Sequence, residues 1–134
     1  MPDQLDQGLL DTSVVVDLDL LDATQLPSEV AISVITLAEL CAGPSATNDA
    51  FERARRQDRL QRAEAVFDPL PFDVEAARAY GRVYAAVLEQ GRKPRRRLAD
   101  LLIASTALAA QLPLVTRNAE DFIGLESLIT IVEI

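Results

Sequence analysis

Short apolar runs alternate with amphipathic stretches from one end of the chain to the other. Residues 8–11 read as a short buried strand. The next stretch is ambiguous: Val14, Val15 and Val16 favour a strand by propensity, whereas Ser13 suits the N-cap of a helix running to Leu21. Residues 30–34 predict a second strand, and 36–42 a short helix closed by Gly43 and Pro44. A long helix is predicted over 47–66, with Asp68-Pro69 breaking it. Residues 70–72 form a brief third strand in this reading, and Asp73 caps a helix through Gln90 that stops at Gly91. Leu98, Leu101, Leu102, Ser105, Leu108 and Leu112 mark one face of the next helix. A strand over 113–116, a one-turn helix near 119–122 and a last strand over 128–133 complete the series. The polar residues 1–7 read as a frayed tail.

Strands and helices alternating in this order predict an α/β fold, a parallel sheet covered on both faces, in a single domain over 1–134. At 134 residues and 49% apolar, the chain can build one substantial core. No apolar run reaches the ~20 residues of a membrane span, and the start lacks the basic and apolar regions of a signal peptide. A cytoplasmic location is therefore expected. The single cysteine, Cys41, flanked by Leu40 and Ala42, reads as a small hydrophobe on a helix face. With one cysteine and no histidine the chain lacks the usual Cys/His ligands of a zinc site, and Ser-His-Asp and Cys-His triads and histidine-based RNA cleavage are excluded. Catalysis would have to come from carboxylates, hydroxyls, arginine, Lys93 or a metal.

The net charge of −8 argues at first against a polyanionic partner. Its distribution changes that picture. All 13 basic residues lie between Arg53 and Arg117, and the first fifty positions hold none. One cluster, Arg53, Arg55, Arg56, Arg59 and Arg62, has acids interspersed and reads as a solvated helix face. The other, Arg92, Lys93, Arg95, Arg96 and Arg97 around Pro94, makes a loop suited to phosphate or a protein partner.

Four acids sit in apolar frames: Asp11, Glu39, Asp100 and Asp121. In a parallel α/β sheet the ligand site lies outside the carboxyl ends of the strands. Asp11 falls at the end of the first predicted strand, and Asp121 just after the fourth. Glu39 is in the helix after the second strand, and Asp100 in the first turn of its helix. Each alone has a plain explanation, as a cap, a dipole partner, a turn residue or an exposed helix residue. Together they form an acidic edge. Two carboxylates at ~4 Å repel by about 1 kcal/mol even in water and by more near protein, so such a group calls for a hard divalent cation.

The segments Leu9-Leu-Asp11-Thr-Ser, Ile32-Ser-Val-Ile-Thr-Leu-Ala-Glu39-Leu, Ala99-Asp100-Leu-Leu-Ile-Ala-Ser-Thr-Ala and Leu114-Val-Thr116-Arg-Asn118-Ala-Glu-Asp121-Phe resemble, in order, the four motif regions of the PIN domain. The similarity is greatest to the VapC-type ribonuclease toxins of type II toxin-antitoxin systems. The resemblance implies a three-layer fold with a central, mostly parallel five-stranded sheet, a first strand ending at Asp11 and a helix from Ser13. It implies a Mg²⁺- or Mn²⁺-dependent endoribonuclease in which Asp11 and Asp100 are the principal metal ligands. Glu39 and Asp121 would complete the pocket, with Thr116 and Asn118 supporting it through hydrogen bonds. It also implies a homodimer, and a small VapB-like antitoxin whose C-terminal segment occupies the acidic groove. Arg92, Lys93, Arg95, Arg96 and Arg97 become candidates for the RNA backbone, although the resemblance does not require so basic a loop.

Asp17, Asp19 and Asp22 come after the first motif and are expected to face water. A rival reading takes Val14-Val-Val-Asp17-Leu-Asp19 as the strand and nucleophile of a haloacid-dehalogenase-like phosphatase. Leu20-Leu21 replaces the Gly-Thr which that reading requires. The alternative of another class is a PIN-like binding module without catalysis, against which the four acids argue.

Overall fold

Leu9 and Leu10 are neighbours in sequence and both fully buried, yet they belong to different cores. Leu114 and Val115 repeat the arrangement. Successive strand side chains point to opposite faces, so these two apolar pairs define a sheet with a core on each side. In the computed structural model, which describes residues 5–134, the strands are β1 (Gln7–Leu10), β2 (Glu29–Ala31), β3 (Leu114–Thr116) and β4 (Ile131–Glu133). They form one parallel sheet in the order β2-β1-β3-β4.

Helices α1 (Thr12–Val16), α2 (Val34–Ala42) and α3 (Ala50–Val66) supply Val14, Val15, Leu40 and Ala63 to the core with Leu10 and Val115. Helices α4 (Val74–Glu89) and α5 (Leu98–Ala110) supply Val83, Val87, Leu101, Ile103, Ala104 and Ala107 to the core with Leu9 and Leu114. The result is the expected three-layer α/β fold. Gly8 is needed where β1 passes its neighbours: a Cβ there would stand 2.8 Å from Pro27 Cγ and 2.9 Å from Val115 Cγ2. Among the described residues, no helix is long and apolar enough to cross a membrane.

Several expectations are corrected. The sheet has four strands rather than five, because the segment expected as a strand over 70–72 pairs only as a single bridge between Ser33 and Leu70. Pro69 and Pro71 flank Leu70 and have no N–H to donate. Leu70 alone exchanges bonds, its N–H donating to Ile32 O at 2.9 Å and its carbonyl accepting from Val34 N at 2.9 Å. The ambiguous Val14–Val16 stretch is helical, but Asp11, not Ser13, is its N-cap, and the helix ends at Val16 before a 3-10 turn over Leu18–Leu20. Helix α3 begins at Ala50, capped by Asp49, after a 3-10 turn at Pro44–Ala46. Leu5 and Asp6 are tied rather than frayed, their carbonyls accepting from Ser28 N and Glu29 N at 2.9 Å each, and Gln7 is already in β1. The rest of the expected tail, 1–4, lies outside the described residues. Cys41 is an exposed free thiol on α2 rather than a packed hydrophobe.

Candidate active site

Strand β1 sits between β2 and β3, so the chain leaves it in one direction to form β2 and returns on the other side as β3. This reversal opens a crevice at the carboxyl ends of β1 and β3. Asp11 comes directly after β1, and Thr116 is the last residue of β3. Only 4% exposed, Asp11 is held by three donors. Its Oδ1 accepts from Thr12 N at 2.9 Å, and its Oδ2 from Ser13 Oγ and Thr116 Oγ1, both at 2.8 Å. These contacts explain how a carboxylate is buried at the end of an apolar strand. The hydroxyls are themselves fixed from behind, with Arg117 N donating to Ser13 Oγ at 3.1 Å and Asn118 N to Thr116 Oγ1 at 3.0 Å.

Thr12 links this group to Glu39. Its hydroxyl donates to Glu39 Oε1 at 2.6 Å, which leaves Thr36 Oγ1, 2.9 Å away, to donate to Thr12 Oγ1. Thr36 is fully buried one turn before the exposed Glu39 on α2, so a chain of hydroxyls aims an otherwise mobile acid. At the far side Asp121, in the 3-10 turn Ala119–Phe122, forms an ion pair with Arg97. Asp100 stands in the first turn of α5, near enough to Asp11, Asp121 and Glu39 to feel their charges. Burial raises its carboxyl to about 6, and the charges of Asp11, Asp121 and Glu39 add to the rise against the opposing pull of Arg97.

The four acids expected from the sequence are thus brought to one edge, where the other three act on Asp100 electrostatically. They are not closed into a cage: among the described residues, no three acid, histidine or cysteine side chains are grouped tightly enough to hold a metal ion. The charge coupling and this spacing describe different things. Coulomb interactions reach well beyond ligand distance, and Asp11 and Asp121 are turned toward Ser13, Thr116 and Arg97. The donor set is made only of carboxylate oxygens, which suits Mg²⁺ or Mn²⁺ and not a soft metal.

Thr116 reaches Asp11 through its side chain, whereas Asn118 bonds through its backbone, donating to Thr116 Oγ1 and accepting from Asp121 N, each at 3.0 Å. In the basic loop Pro94 is buried and begins a 3-10 turn that runs into α5. Arg97 points inward to Asp121, and Arg92 donates to Glu120 O at 3.2 Å. Lys93, Arg95 and Arg96 are exposed. Asp17, Asp19 and Asp22 lie outside the acidic group: Asp17 pairs with Arg117 at 3.4 Å, Asp19 with Arg62 at 3.2 Å, and Asp22 caps a 3-10 turn. The segment needed as a strand by the phosphatase reading is helix α1. Sequence reasoning missed Thr12, Ser13 and Thr36 as parts of the site. Hydroxyls at Thr12 and Ser13, immediately after the acid, were the available signal; for Thr36 it was the spacing of three residues before Glu39. Arg97 as an internal counter-ion had no local signal.

A three-layer parallel fold with carboxylates grouped at its switch point is the architecture of a PIN domain, and the PIN domain family model matches residues 9–125. Ribonuclease VapC5 of Mycobacterium tuberculosis (strain ATCC 25618 / H37Rv) is 38% identical over 122 residues, covering 89% of this chain and 87% of the relative. Ribonuclease VapC of Rickettsia bellii (strain RML369-C) is 30% identical over 120 residues, covering 85% and 87%. The crystal structure of VapBC-5, a member of the VapBC family of toxin-antitoxin systems from M. tuberculosis, matches with a TM-score of 0.84 and 36% identity over 96% of this chain and 99% of that one. The chain belongs to the PIN domain family, in its VapC branch.

Proposed function

We propose that this protein is the ribonuclease toxin of a toxin-antitoxin pair, an endoribonuclease that hydrolyses RNA phosphodiesters with Mg²⁺ or Mn²⁺. Asp11 and Asp100 would hold the cation, with Glu39 and Asp121 completing the pocket. The observation that carries this reading is the placement of Asp11, Glu39, Asp100 and Asp121 at one edge of the sheet, close enough that burial and the other three acids raise the Asp100 carboxyl. A site arranged to accumulate negative charge in this way gains most from a cation. The ribonuclease names of the curated relatives support the substrate, and the toxin-antitoxin complex among the solved relatives supports an antitoxin partner. A homodimer belongs to the same reading.

A divalent cation supplies Lewis acidity, lowering the pKa of an attacking water and offsetting charge on the phosphate. The protein's own residues prepare the pocket for it. Thr12, Ser13 and Thr116 donate to Asp11 and fix the orientation of its two oxygens. Thr36 and Thr12 position Glu39. Arg97 limits the repulsion at Asp121, and Asp100, whose proton is held more tightly than that of an ordinary carboxyl, responds to the charge of whatever enters.

Purified protein is expected to cleave cellular RNA with Mg²⁺ or Mn²⁺, to stop in EDTA, and to lose at least ~100-fold in rate as Asp100→Asn, the scale of a lost electrostatic contact in an active site. Unchanged metal-dependent cleavage by Asp11→Ala and Asp100→Asn would refute the assignment. Tight binding of RNA or protein without cleavage at any metal concentration would favour a binding module instead.

A further inference from the structure

A divalent cation at the acidic edge compensates the carboxylates there, and the phosphates on either side of the scissile bond still gain from cations fixed beside that edge. Helix α3 is rich in arginine, yet most of its guanidinium groups are already committed. Arg53 donates to Pro44 O at 3.2 Å and Thr47 O at 3.0 Å. Arg55 pairs with Glu52 at 3.1 Å, and Arg56 bonds Glu52 at 3.3 Å and Gly43 O at 2.9 Å. Arg62 pairs with Asp58 at 3.0 Å and Asp19 at 3.2 Å. Among the described residues, Arg59 is the α3 arginine with no hydrogen-bond or ion partner.

Arg59 is also partly buried rather than extended into solvent. It lines a cleft of about 360 Å³ whose other walls include Thr12, Asp17 and Glu39. That cleft therefore brings Thr12 and Glu39 of the acidic edge together with Arg59; Glu52 and Arg56, which also line it, are paired with each other, so Arg59 is its uncommitted cation. On the opposite side of the edge stand the exposed Lys93, Arg95 and Arg96, carried by the same 3-10 turn that places Arg97 on Asp121. A polyanion crossing the edge would meet repulsion in the middle and free cations at either side.

We infer that Arg59 binds a phosphate of the RNA strand on the Glu39 side of the scissile bond, setting the register of the strand across the acidic edge. This rests on the proposed nuclease function and adds a substrate-binding residue on a helix whose basic face otherwise reads as solvated. The planar guanidinium suits a bidentate phosphate contact, which lysine reproduces in charge but not in geometry.

The test uses a fluorescein-labelled RNA hairpin with a mixed-sequence loop, with anisotropy and cleavage measured for the full chain, for Arg59→Gln and for Arg59→Lys. Arg78→Gln, which breaks only the exposed pair with Glu75 on α4, is the control. Arg59→Gln is expected to raise KM about 5- to 10-fold with little change in kcat, and to lower the salt slope of binding by roughly one phosphate contact. Arg59→Lys should restore the salt slope but only part of KM. Unchanged KM and salt slope in a folded Arg59→Gln protein would overturn the inference while leaving the nuclease reading intact. If Arg59→Gln weakened only association with a protein partner and not with RNA, the cleft would be a protein-docking site, and the inference would be wrong. Failure of the unaltered chain to bind or cut any RNA would remove the nuclease reading and this inference with it.

Discussion

Asp11 and Asp100 are two carboxylates of one pocket, built in opposite ways. Asp11 is almost fully buried and saturated with hydrogen bonds from Thr12, Ser13 and Thr116. Asp100 is more open, has no hydrogen bond to its side chain among the described residues, and is raised to about 6. Burial by itself therefore does not decide how a carboxylate behaves. The oxygens of Asp11 are met by fixed donors, whereas Asp100, buried without them beside other acids, has its charged form disfavoured. Asp11 is a fixed point of the site, and Asp100 is the group whose charge the site resists until a cation compensates it.

The contrast predicts opposite effects on stability at the two positions. Asp11→Ala should have the largest effect, destabilising by about 3 kcal/mol because two hydroxyls and a backbone N–H lose a charged acceptor in a buried setting; chemical denaturation measures it. Thr116→Val keeps the shape but removes one donor to Asp11 and the acceptor of Asn118 N, with an expected loss of about 1–2 kcal/mol. Asp100→Asn should instead stabilise the metal-free protein at pH 7 by about 1 kcal/mol, the full pKa equivalent being reduced by solvent screening of a partly open group. A destabilised Asp100→Asn protein at neutral pH would break the comparison.

The smallest effect is the pH dependence of that last gain. Asp100 has a folded pKa of about 6 against 3.8 for the free group, so the folded chain binds its proton more tightly than the unfolded chain. Its contribution to stability is fully present below about pH 4 and is lost as pH rises through about 6. The difference between the unaltered chain and Asp100→Asn should thus be small at pH 4 and complete by pH 7, as read from melting curves in EDTA. Saturating Mg²⁺ should reverse its sign at pH 7, since the cation stabilises the chain that retains the carboxylate.

Much of the fold was legible because the signals were local. Asp73 does cap α4 and the one-turn helix falls at Ala119–Phe122, whereas α5 forms where expected but buries Ile103, Ala104, Thr106 and Ala107 beside Leu101 and Ser105 and leaves Leu98 exposed, rather than presenting the single leucine face expected. The errors arose where one local signal overrode another. The three valines after Ser13 have strand propensity, yet Asp11 captures Thr12 N and starts a helix whose Val14 and Val15 pack beneath β1 and β3. The segment around Leu70 had an apolar character but lacked the backbone donors for a full strand, a consequence of Pro69 and Pro71 that reading hydrophobicity alone overlooked.

By itself the sequence determined the alternation of strands and helices, the absence of histidine chemistry and the positions of four acids in motif order. Those features depend on side-chain type and spacing along the backbone. Only the tertiary structure decided which acid is satisfied and which is strained, that Arg97 serves Asp121 rather than solvent, and that Arg59 is left uncommitted beside the cleft. Hydrogen-bond partners and charge neighbours come from elements as far apart in sequence as Asp11 and Thr116. Whether a carboxylate is stabilised or opposed depends on those partners, and no local pattern in the chain specifies them.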